Sequence, residues 1–246
     1  MSHWLDPVRS ALDSRTTPVM LFVRDDDAGW ADERLFRLLD LVRWHHVPID
    51  LAAIPTAVTP ALAAELRRAI DESAGLVAVH QHGYSHANHE ENGKKCEFGP
   101  SRSLDQQRAD ISIGRWILED VMGTSPAGIF TPPWNRCTPD TAVVLTEIGC
   151  RLLSRDVDAP DLGVDRLAEL PVRLDWTGRH GSRAGVAAWG QSIATAIASA
   201  AEPVGLMLHH AVMNADDRRL LNEWLELVAA HPMARVRPML ECSGAL

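Results

Sequence analysis

The sequence predicts an α/β protein built on a parallel sheet or barrel. Short apolar runs each stop at a polar cluster, and stretches with helical periodicity alternate with them along the chain. Runs bounded in this way are typical of strands buried in a parallel sheet, and repeated strand–helix units favour the same architecture. Because functional sites in such proteins lie at the carboxyl ends of the strands, we expect the polar clusters to meet at one rim.

The order of elements follows from these runs. Strands are predicted at 19–23, 48–55, 76–80, 127–130, 150–153, 170–176, 204–208 and 236–240. Helices are predicted at 31–46, 60–72, 104–121, 138–149, 186–201 and 215–230. Thr138 followed by Pro139, for example, is a typical helix start, because a threonine side chain caps the first turn and proline fits inside it.

The stretch 87–103 is polar and irregular, and it directly follows a group of histidines. Long irregular segments over the rim of a sheet are often functional loops. We therefore expect this loop to cover the site, with Glu97 or Arg102 reaching the substrate or the acidic cluster.

Composition is that of an ordinary globular chain: 246 residues, 46% hydrophobic and 23% charged, which suits a single domain over 1–246. The formal net charge of −9 argues against nucleic acid or an anionic membrane as a partner.

No apolar stretch approaches the roughly 20 residues that span a bilayer. The N-terminus has no secretory pattern, so the expected location is cytoplasmic. The four cysteines follow no zinc-finger spacing and are expected to be reduced thiols. The composition is compatible with a homo-oligomer.

Asp25, Asp26 and Asp27 end the first apolar run. Three adjacent carboxylates at a partly desolvated rim repel one another, so a cation should offset them. Arg24 is one candidate, and a divalent metal is another. The alternative interpretation is an exposed acidic turn that caps the following helix.

His82 and His86 are four residues apart, and on a helical turn they would share one face, a common metal-ligand geometry. The alternative is a polar loop with solvated histidines. His80 and His89 flank the pair, and this density of imidazoles favours a ligand role.

Two further motifs complete the predicted rim. The segment 131–135, Thr-Pro-Pro-Trp-Asn, combines rigid backbone with an aromatic wall, and a rigid N–H can point at a developing oxyanion. His209 and His210 end another apolar run. One of the two should face the rim and the other should face away, because side chains alternate along a strand.

In order and rough spacing, these motifs resemble those of the polysaccharide deacetylase family, also called the NodB-homology or carbohydrate esterase family 4 domain. The resemblance covers about residues 18–212. It rests on Asp25-Asp26-Asp27, on His82 with His86, on Phe130-Thr131-Pro132-Pro133-Trp134 and on Leu208-His209-His210. The family fold is a distorted, incomplete (β/α) barrel, and the resemblance implies the same α/β architecture here.

The resemblance also implies a metal and a base. One Asp of the acidic motif would act as general base, and the next Asp would bind a divalent metal, usually zinc, together with His82 and His86. The pair is either Asp25 with Asp26 or Asp26 with Asp27. Asp26 belongs to both and is therefore the expected metal ligand, with Asp25 or Asp27 as the base.

A general acid and an oxyanion donor are implied as well. His209 or His210 would protonate the leaving amine, with His210 the better alignment. The backbone N–H of Trp134 would help to hold the oxyanion. Candidate substrate-binding residues on the rim are Arg24, Tyr84, Glu97, Arg102, Pro133 and Asn135.

One position departs from the family pattern. The arginine that orients the base, one residue before Pro-Pro, is replaced by Thr131. Arg24, Arg102 or Arg136 could substitute for it. We expect at least one of these guanidinium groups within salt-bridge distance of an Asp in 25–27, with Arg24 and Arg102 ahead of Arg136.

The leading hypothesis is metal-dependent hydrolysis of a non-peptide amide bond, with deacetylation of an N-acetylated sugar or a related small amide as the reaction. The expected partner is accordingly a carbohydrate or another small molecule. One alternative is a metal-independent hydrolase of a cyclic amide or ureide on the same fold. Another is a barrel that binds carbohydrate without catalysis, which the departure at Thr131 favours.

Overall fold

A computed structural model of the chain describes residues 3–164, 166–177 and 185–244. Its strands are β1 (Val19–Ala28), β2 (Ile49–Ala53), β3 (Val77–His82), β4 (Ala127–Thr131), β5 (Leu152–Leu153), β6 (Ala168–Glu169), β7 (Val172–Asp175), β8 (Val204–Leu208) and β9 (Ala234–Val236). Its helices are α1 (Asp6–Asp13), α2 (Asp32–Trp44), α3 (Pro60–Glu72), α4 (Leu104–Met122), α5 (Pro139–Glu147), α6 (Gly185–Ala198), α7 (Ala215–Ala230) and α8 (Met239–Ser243).

These strands form one parallel sheet in the order β6-β5-β4-β3-β2-β1-β8-β7, with β9 paired to the start of β1. The sheet curls into a half-barrel with helices around it, so the predicted incomplete (β/α) barrel is confirmed. Parallel strands that are joined by helices all end on the same side of the sheet. The carboxyl ends of β1, β3, β4 and β8 therefore share one rim.

Side-chain alternation along β1 separates the two faces of the sheet. Leu21 and Val23 belong to the large apolar cluster under the surrounding helices. Phe22 points inward, where it packs in a smaller cluster with Met207 and with Met239 of α8. The inside of the barrel is thus apolar at its base, and the polar residues of β1 lie towards the rim.

The predicted element boundaries hold best for helices with clear capping signals. The helices at 60–72 and 215–230 are confirmed residue for residue. The strand predicted at 236–240 is wrong, because β9 ends at Val236 and Pro238 directly precedes α8. Proline lacks the N–H that a strand ladder needs but fits the start of a helix.

The four cysteines are free thiols, as the sequence predicts. None of the described helices combines the length and apolarity needed to cross a membrane.

Candidate metal centre and active site

Asp27, His82 and His86 bring one carboxylate and two imidazoles together at the rim. Asp27 Oδ1 lies 3.3 Å from His82 Nε2 and 3.2 Å from His86 Nε2. Asp27 has a left-handed backbone, with φ of 73°, and this interrupts the alternation of side chains at the end of β1. Asp27, and not the predicted Asp26, is therefore the carboxylate beside the two histidines.

The two histidines reach this cluster from different backbone elements. His82 is the last residue of β3, and His86 lies on the loop that follows. Gly83 and His86 both have positive φ, 58° and 55°, so the segment between them is a tight loop. The two imidazoles therefore converge through this loop and not through a helical turn.

The donor set of this cluster fits a divalent metal. Asp27 Oδ1 is a buried oxygen without a hydrogen-bond partner among the described residues. His82 Nδ1 donates to the carbonyl oxygen of Thr131 at 2.9 Å, so Nε2 is the ring nitrogen that faces Asp27 and would bind a metal after losing its proton. The three ligand atoms lie within 4.8 Å of one another, close enough to share one ion.

The charge state of Asp27 also suits a metal ligand. Burial raises the pKa of its carboxyl group, but the neighbouring imidazoles of His82 and His86 lower this pKa by more. The net shift is downward, so Asp27 is ionised at neutral pH, which is the state that metal binding requires.

Arg24 and Asp26 form a buried ion pair inside the barrel. Arg24 Nε donates to Asp26 Oδ1 at 2.8 Å, and Arg24 Nη2 donates to Asp26 Oδ2 at 2.9 Å. Ser154 Oγ and Asn135 Oδ1 accept further hydrogen bonds from the same guanidinium, at 2.8 and 2.7 Å. Burial raises the pKa of Asp26, but Arg24 and nearby imidazoles lower it by more. Asp26 is thus an ionised carboxylate that is held in one orientation.

The expectation of an arginine beside the acidic run is therefore confirmed for Arg24. It is wrong for Arg102, which pairs with Asp110 of α4. Arg136 donates to the backbone carbonyl of Lys95 instead. Arg24 itself is fully buried and fully engaged, so it does not fit the predicted role of contacting substrate.

Asp25 and His210 form a second buried pair. Asp25 Oδ2 lies 2.6 Å from His210 Nδ1, and Asp25 Oδ1 accepts from the His210 backbone N–H at 3.0 Å. His210 Nε2 donates to the carbonyl oxygen of Trp30 at 2.7 Å. Burial lowers the pKa of His210, but Asp25 raises it by more, to about 9. Both ring nitrogens are occupied and the side chain is only 1% exposed. His210 therefore does not fit the general-acid role for which it aligned best, and Asp25 does not fit that of the base.

His209 is the more accessible of the two adjacent histidines, with a side chain 26% exposed. Its Nδ1 lies 3.2 Å from Thr177 Oγ1 and 3.9 Å from Asp175 Oδ1. Asp175 is the last residue of β7, so it reaches the rim in the same way as the other polar residues. This strand was predicted but Asp175 was not among the predicted site residues, although it is a polar residue at a strand end like the other clusters.

Thr131 connects two imidazoles at the base of the site. Its carbonyl oxygen accepts from His82 Nδ1, and its hydroxyl lies 2.9 Å from His80 Nε2. Burial lowers the pKa of His80 to about 3, so this ring is neutral at physiological pH. The residue that departs from the family pattern is thus a hydrogen-bonding partner of a candidate metal ligand.

His86 is packed between two tryptophan rings. The ring of Trp30 lies 4.7 Å away at an interplanar angle of 64°, and that of Trp134 lies 4.4 Å away at 61°. Edge-to-face contacts of this kind are favourable between aromatic rings. Trp134 has a positive φ of 57°. Trp30, which is 41% exposed, was not predicted as part of the site.

Glu97 belongs to the interior and not to the acidic cluster. Its carboxylate accepts from the backbone N–H groups of Tyr84, Ser85 and Ala87, at 3.1, 2.7 and 3.3 Å. The side chain is fully buried. The prediction that Glu97 reaches the acidic cluster is wrong, because its oxygens shape the loop that carries His86.

The other three residues that were predicted to contact substrate pack against or hold neighbouring residues. Tyr84 packs against the apolar cluster around Phe98. Asn135 holds Arg24, as described above. Pro133 is buried beside Gly83, where a Cβ on the glycine would lie only 2.6 Å from the proline ring. The positive φ of Gly83 and this close approach together require glycine at that position.

Comparison with known proteins identifies the fold. No family model and no curated protein sequence matches the chain. Among solved structures, it is similar to a candidate polysaccharide deacetylase from Mycobacterium smegmatis, with 17% identity and a TM-score of 0.71 over 92% of this chain and 90% of that one. At this identity the likeness establishes the fold alone: the chain has the fold of the polysaccharide deacetylases.

Two other similar structures differ from each other in functional state. One is a family 4 acetyl xylan esterase from Clostridium thermocellum in complex with a cobalt ion, with 18% identity and a TM-score of 0.53 over 84% of this chain and 82% of that one. The other is a family 4 pseudoenzyme from Bacillus anthracis, with 12% identity and a TM-score of 0.51 over 86% of this chain and 61% of that one. The same fold thus occurs both with a bound metal and in a protein described as a pseudoenzyme.

Proposed function

We propose that this chain, on the fold of the polysaccharide deacetylases, is a metal-dependent hydrolase that deacetylates an N-acetylated sugar or a related small amide. The observation that carries the proposal is the cluster of Asp27, His82 and His86 next to an ionised, arginine-held Asp26. A binding protein would have no need to keep such a carboxylate ionised beside a three-ligand cluster.

In this proposal Asp27, His82 and His86 hold the metal, and zinc is the first candidate because the donors are two imidazoles and one carboxylate. A divalent ion bound there would supply Lewis-acid polarisation of the amide and help to ionise the attacking water. The cobalt ion in the acetyl xylan esterase of the same fold supports a divalent-metal site of this kind.

Asp26 is the proposed general base. Its lowered pKa keeps it ionised, and the two hydrogen bonds from Arg24 fix its orientation, so it can accept the proton of water without rotating away. The proposed base, Asp26, therefore directly precedes the proposed metal ligand, Asp27. This assignment corresponds to the Asp26–Asp27 register, one of the two that the sequence left open.

His209 is the proposed general acid. Its Nδ1 faces Asp175 and Thr177, so Nε2 on the other side of the ring is the nitrogen that can donate to the leaving amine. Asp175 would hold the ring and stabilise its protonated form. In the same scheme the backbone N–H of Trp134 would hold the oxyanion.

Acetate release tests the proposal. The protein is stripped with a chelator, reconstituted with Zn²⁺ or Co²⁺, and incubated with N-acetylated oligosaccharides. We expect acetate to appear only in the reconstituted samples, and D26N to lose most of the rate while exposed D71N retains it. Equal release from stripped and reconstituted protein would favour the metal-independent alternative.

The pseudoenzyme of the same fold supports a second candidate function, carbohydrate binding without turnover. The departure at Thr131 favoured this alternative, since a base without its arginine would be poorly oriented. Arg24 supplies the missing contact to Asp26, which weakens that argument. Sugar binding without acetate release from any metal-loaded sample would decide for the binding protein.

A further inference from the structure

Lys95 places a positive charge one aromatic ring away from the candidate metal centre. Its ammonium nitrogen lies over the ring of Trp134, 5.9 Å from the centroid. The same ring lies 4.4 Å from the ring of His86. A cation over an aromatic face is attracted by the electrons of the ring, which favours this position over a fully solvated one.

The backbone that carries Lys95 is fixed. Its carbonyl oxygen accepts from Arg136 Nη1 at 2.9 Å. The next residue, Cys96, is buried, donates its N–H to Asn88 Oδ1 at 2.9 Å and directs its thiol at the Arg136 carbonyl at 3.3 Å. The position of Lys95 beside Trp134 therefore follows from a hydrogen-bonded loop.

No described carboxylate forms an ion pair with Lys95 or Arg136. Two of the three acids of the same loop are engaged elsewhere. Glu97 accepts from backbone N–H groups, and Glu90 Oε1 accepts from the N–H and hydroxyl of Ser101 at 3.1 and 2.8 Å. Lys95 thus lies over the ring of Trp134 without an acidic partner, in a chain of net charge −9.

We propose that Lys95, whose backbone carbonyl is held by Arg136, binds an anionic substituent of the substrate, so that the preferred substrate is an N-acetylated sugar acid or another acidic amide. The identity of this substrate rests on the proposed function, but the binding itself does not. The average field of an acidic protein repels anions, so a preference for an anionic ligand requires a local cation of this kind.

Binding of two matched sugars tests the inference. The probes are N-acetylglucosamine and its 6-carboxylate, which differ only in the charged group, and Kd is measured by calorimetry on zinc-loaded protein. We expect the wild-type protein to prefer the carboxylate about three- to fivefold, as for a solvent-accessible ion pair. In K95M the ratio of the two Kd values should fall to about one, while the Kd of the neutral sugar stays unchanged. K94M, which removes the adjacent exposed lysine, is the matched control and should retain the preference.

The outcomes of these measurements separate this inference from the proposed function. An equal affinity of the wild-type protein for both sugars, or a preference that survives in K95M, would overturn the role of Lys95. Absence of acetate release, combined with a Lys95-dependent preference in binding, would overturn the proposed hydrolase and leave the anion site standing. A preference that decreases with added salt in the wild-type protein but not in K95M would support the ion pair directly.

Discussion

Arg24 and Asp26 lie two residues apart on one strand, and their side chains meet inside the barrel through two hydrogen bonds of 2.8 and 2.9 Å. Residues i and i+2 of a strand share a face, so this contact needs no other segment of the chain. Asp26 thus has its arginine partner on its own strand, while the residue before Pro-Pro is Thr131.

The first prediction concerns this pair. Arg24→Lys keeps the charge but loses the two-point contact, so the carboxylate becomes free to rotate. We expect kcat for acetate release to fall roughly tenfold to a hundredfold, at or below the lower end of general-base contributions, because the base is misoriented but not removed. Arg24→Met is expected to cost about 3–5 kcal/mol of unfolding free energy, because Asp26 would remain as a buried unpaired charge. Arg108→Met, at an exposed ion pair, is the control. A fully active Arg24→Lys protein would contradict the orienting role.

A second prediction separates the two neighbouring carboxylates. Asp27→Asn removes a proposed ligand and should weaken zinc binding by at least about 10–100-fold, the loss seen even for residues that only support ligands. Asp26→Asn should retain zinc and lose turnover. Equilibrium dialysis with metal analysis measures the first effect, and acetate release measures the second. The reverse pattern would restore Asp26 as the ligand.

The third prediction concerns the two adjacent histidines. His209→Gln should lower kcat by about 10²–10⁴-fold with little change in thermal unfolding, because a half-buried general acid is removed. The loss should be smaller for acetate esters with good leaving groups, which depart without a proton. His210→Asn should instead destabilise the fold, because Asp25 would lose its buried partner. Equal sensitivity of amides and activated esters to His209→Gln would rule out proton donation by His209.

The fourth prediction is a pH dependence of stability. Asp50 is buried inside the sheet and accepts one hydrogen bond, from the Met239 N–H at 2.9 Å. Burial raises its pKa from 3.8 to about 7. Between these two values the unfolded chain releases the proton while the folded protein keeps it, so the contribution of Asp50 to stability falls as pH rises and is constant above about 7.

Comparison of variants isolates this contribution. Asp50→Asn removes this pH-dependent contribution. Relative to the wild-type protein, the variant should therefore gain unfolding free energy as pH rises from 4 to 7, by roughly 4 kcal/mol if the whole pKa shift is realised. Urea unfolding at several pH values measures the difference, and Asp71→Asn, at an exposed position, should follow the wild-type curve. Parallel curves for the wild-type protein and Asp50→Asn would show that Asp50 is not protonated in the fold.

The sequence predicted which strand ends bring polar side chains to one rim, because an apolar run followed by polar residues indicates the carboxyl end of a buried strand in a parallel sheet. It did not predict which Asp serves which partner. The assignment depends on the positive φ of Asp27, which no side-chain pattern reveals for a non-glycine residue. The choice between His209 and His210 was open for a related reason: β8 ends at Leu208, and alternation gives no guide beyond a strand end.

The loop after the histidine motif shows a second limit. Its length and polarity indicated a polar cover over the site, yet Glu97 and Phe98 are fully buried. A glutamate whose partners are backbone N–H groups has no complementary charge in the sequence, so residue types alone cannot distinguish it from a solvent-facing acid. The structural role of such a carboxylate can be recognised only when the positions of the neighbouring backbone N–H groups are known.

The tight packing around Gly83 has a consequence for protein engineering. A side chain there would collide with the ring of Pro133 and with the carboxylate of Glu97, so three segments distant in sequence fit together around one Cα atom. Chimeras that exchange the 87–103 loop, the histidine segment or the Pro-Pro turn singly between proteins of this fold should assemble poorly. Exchange of all three segments together preserves the contacts at Gly83. A change of specificity by loop exchange should therefore move these three segments as one unit.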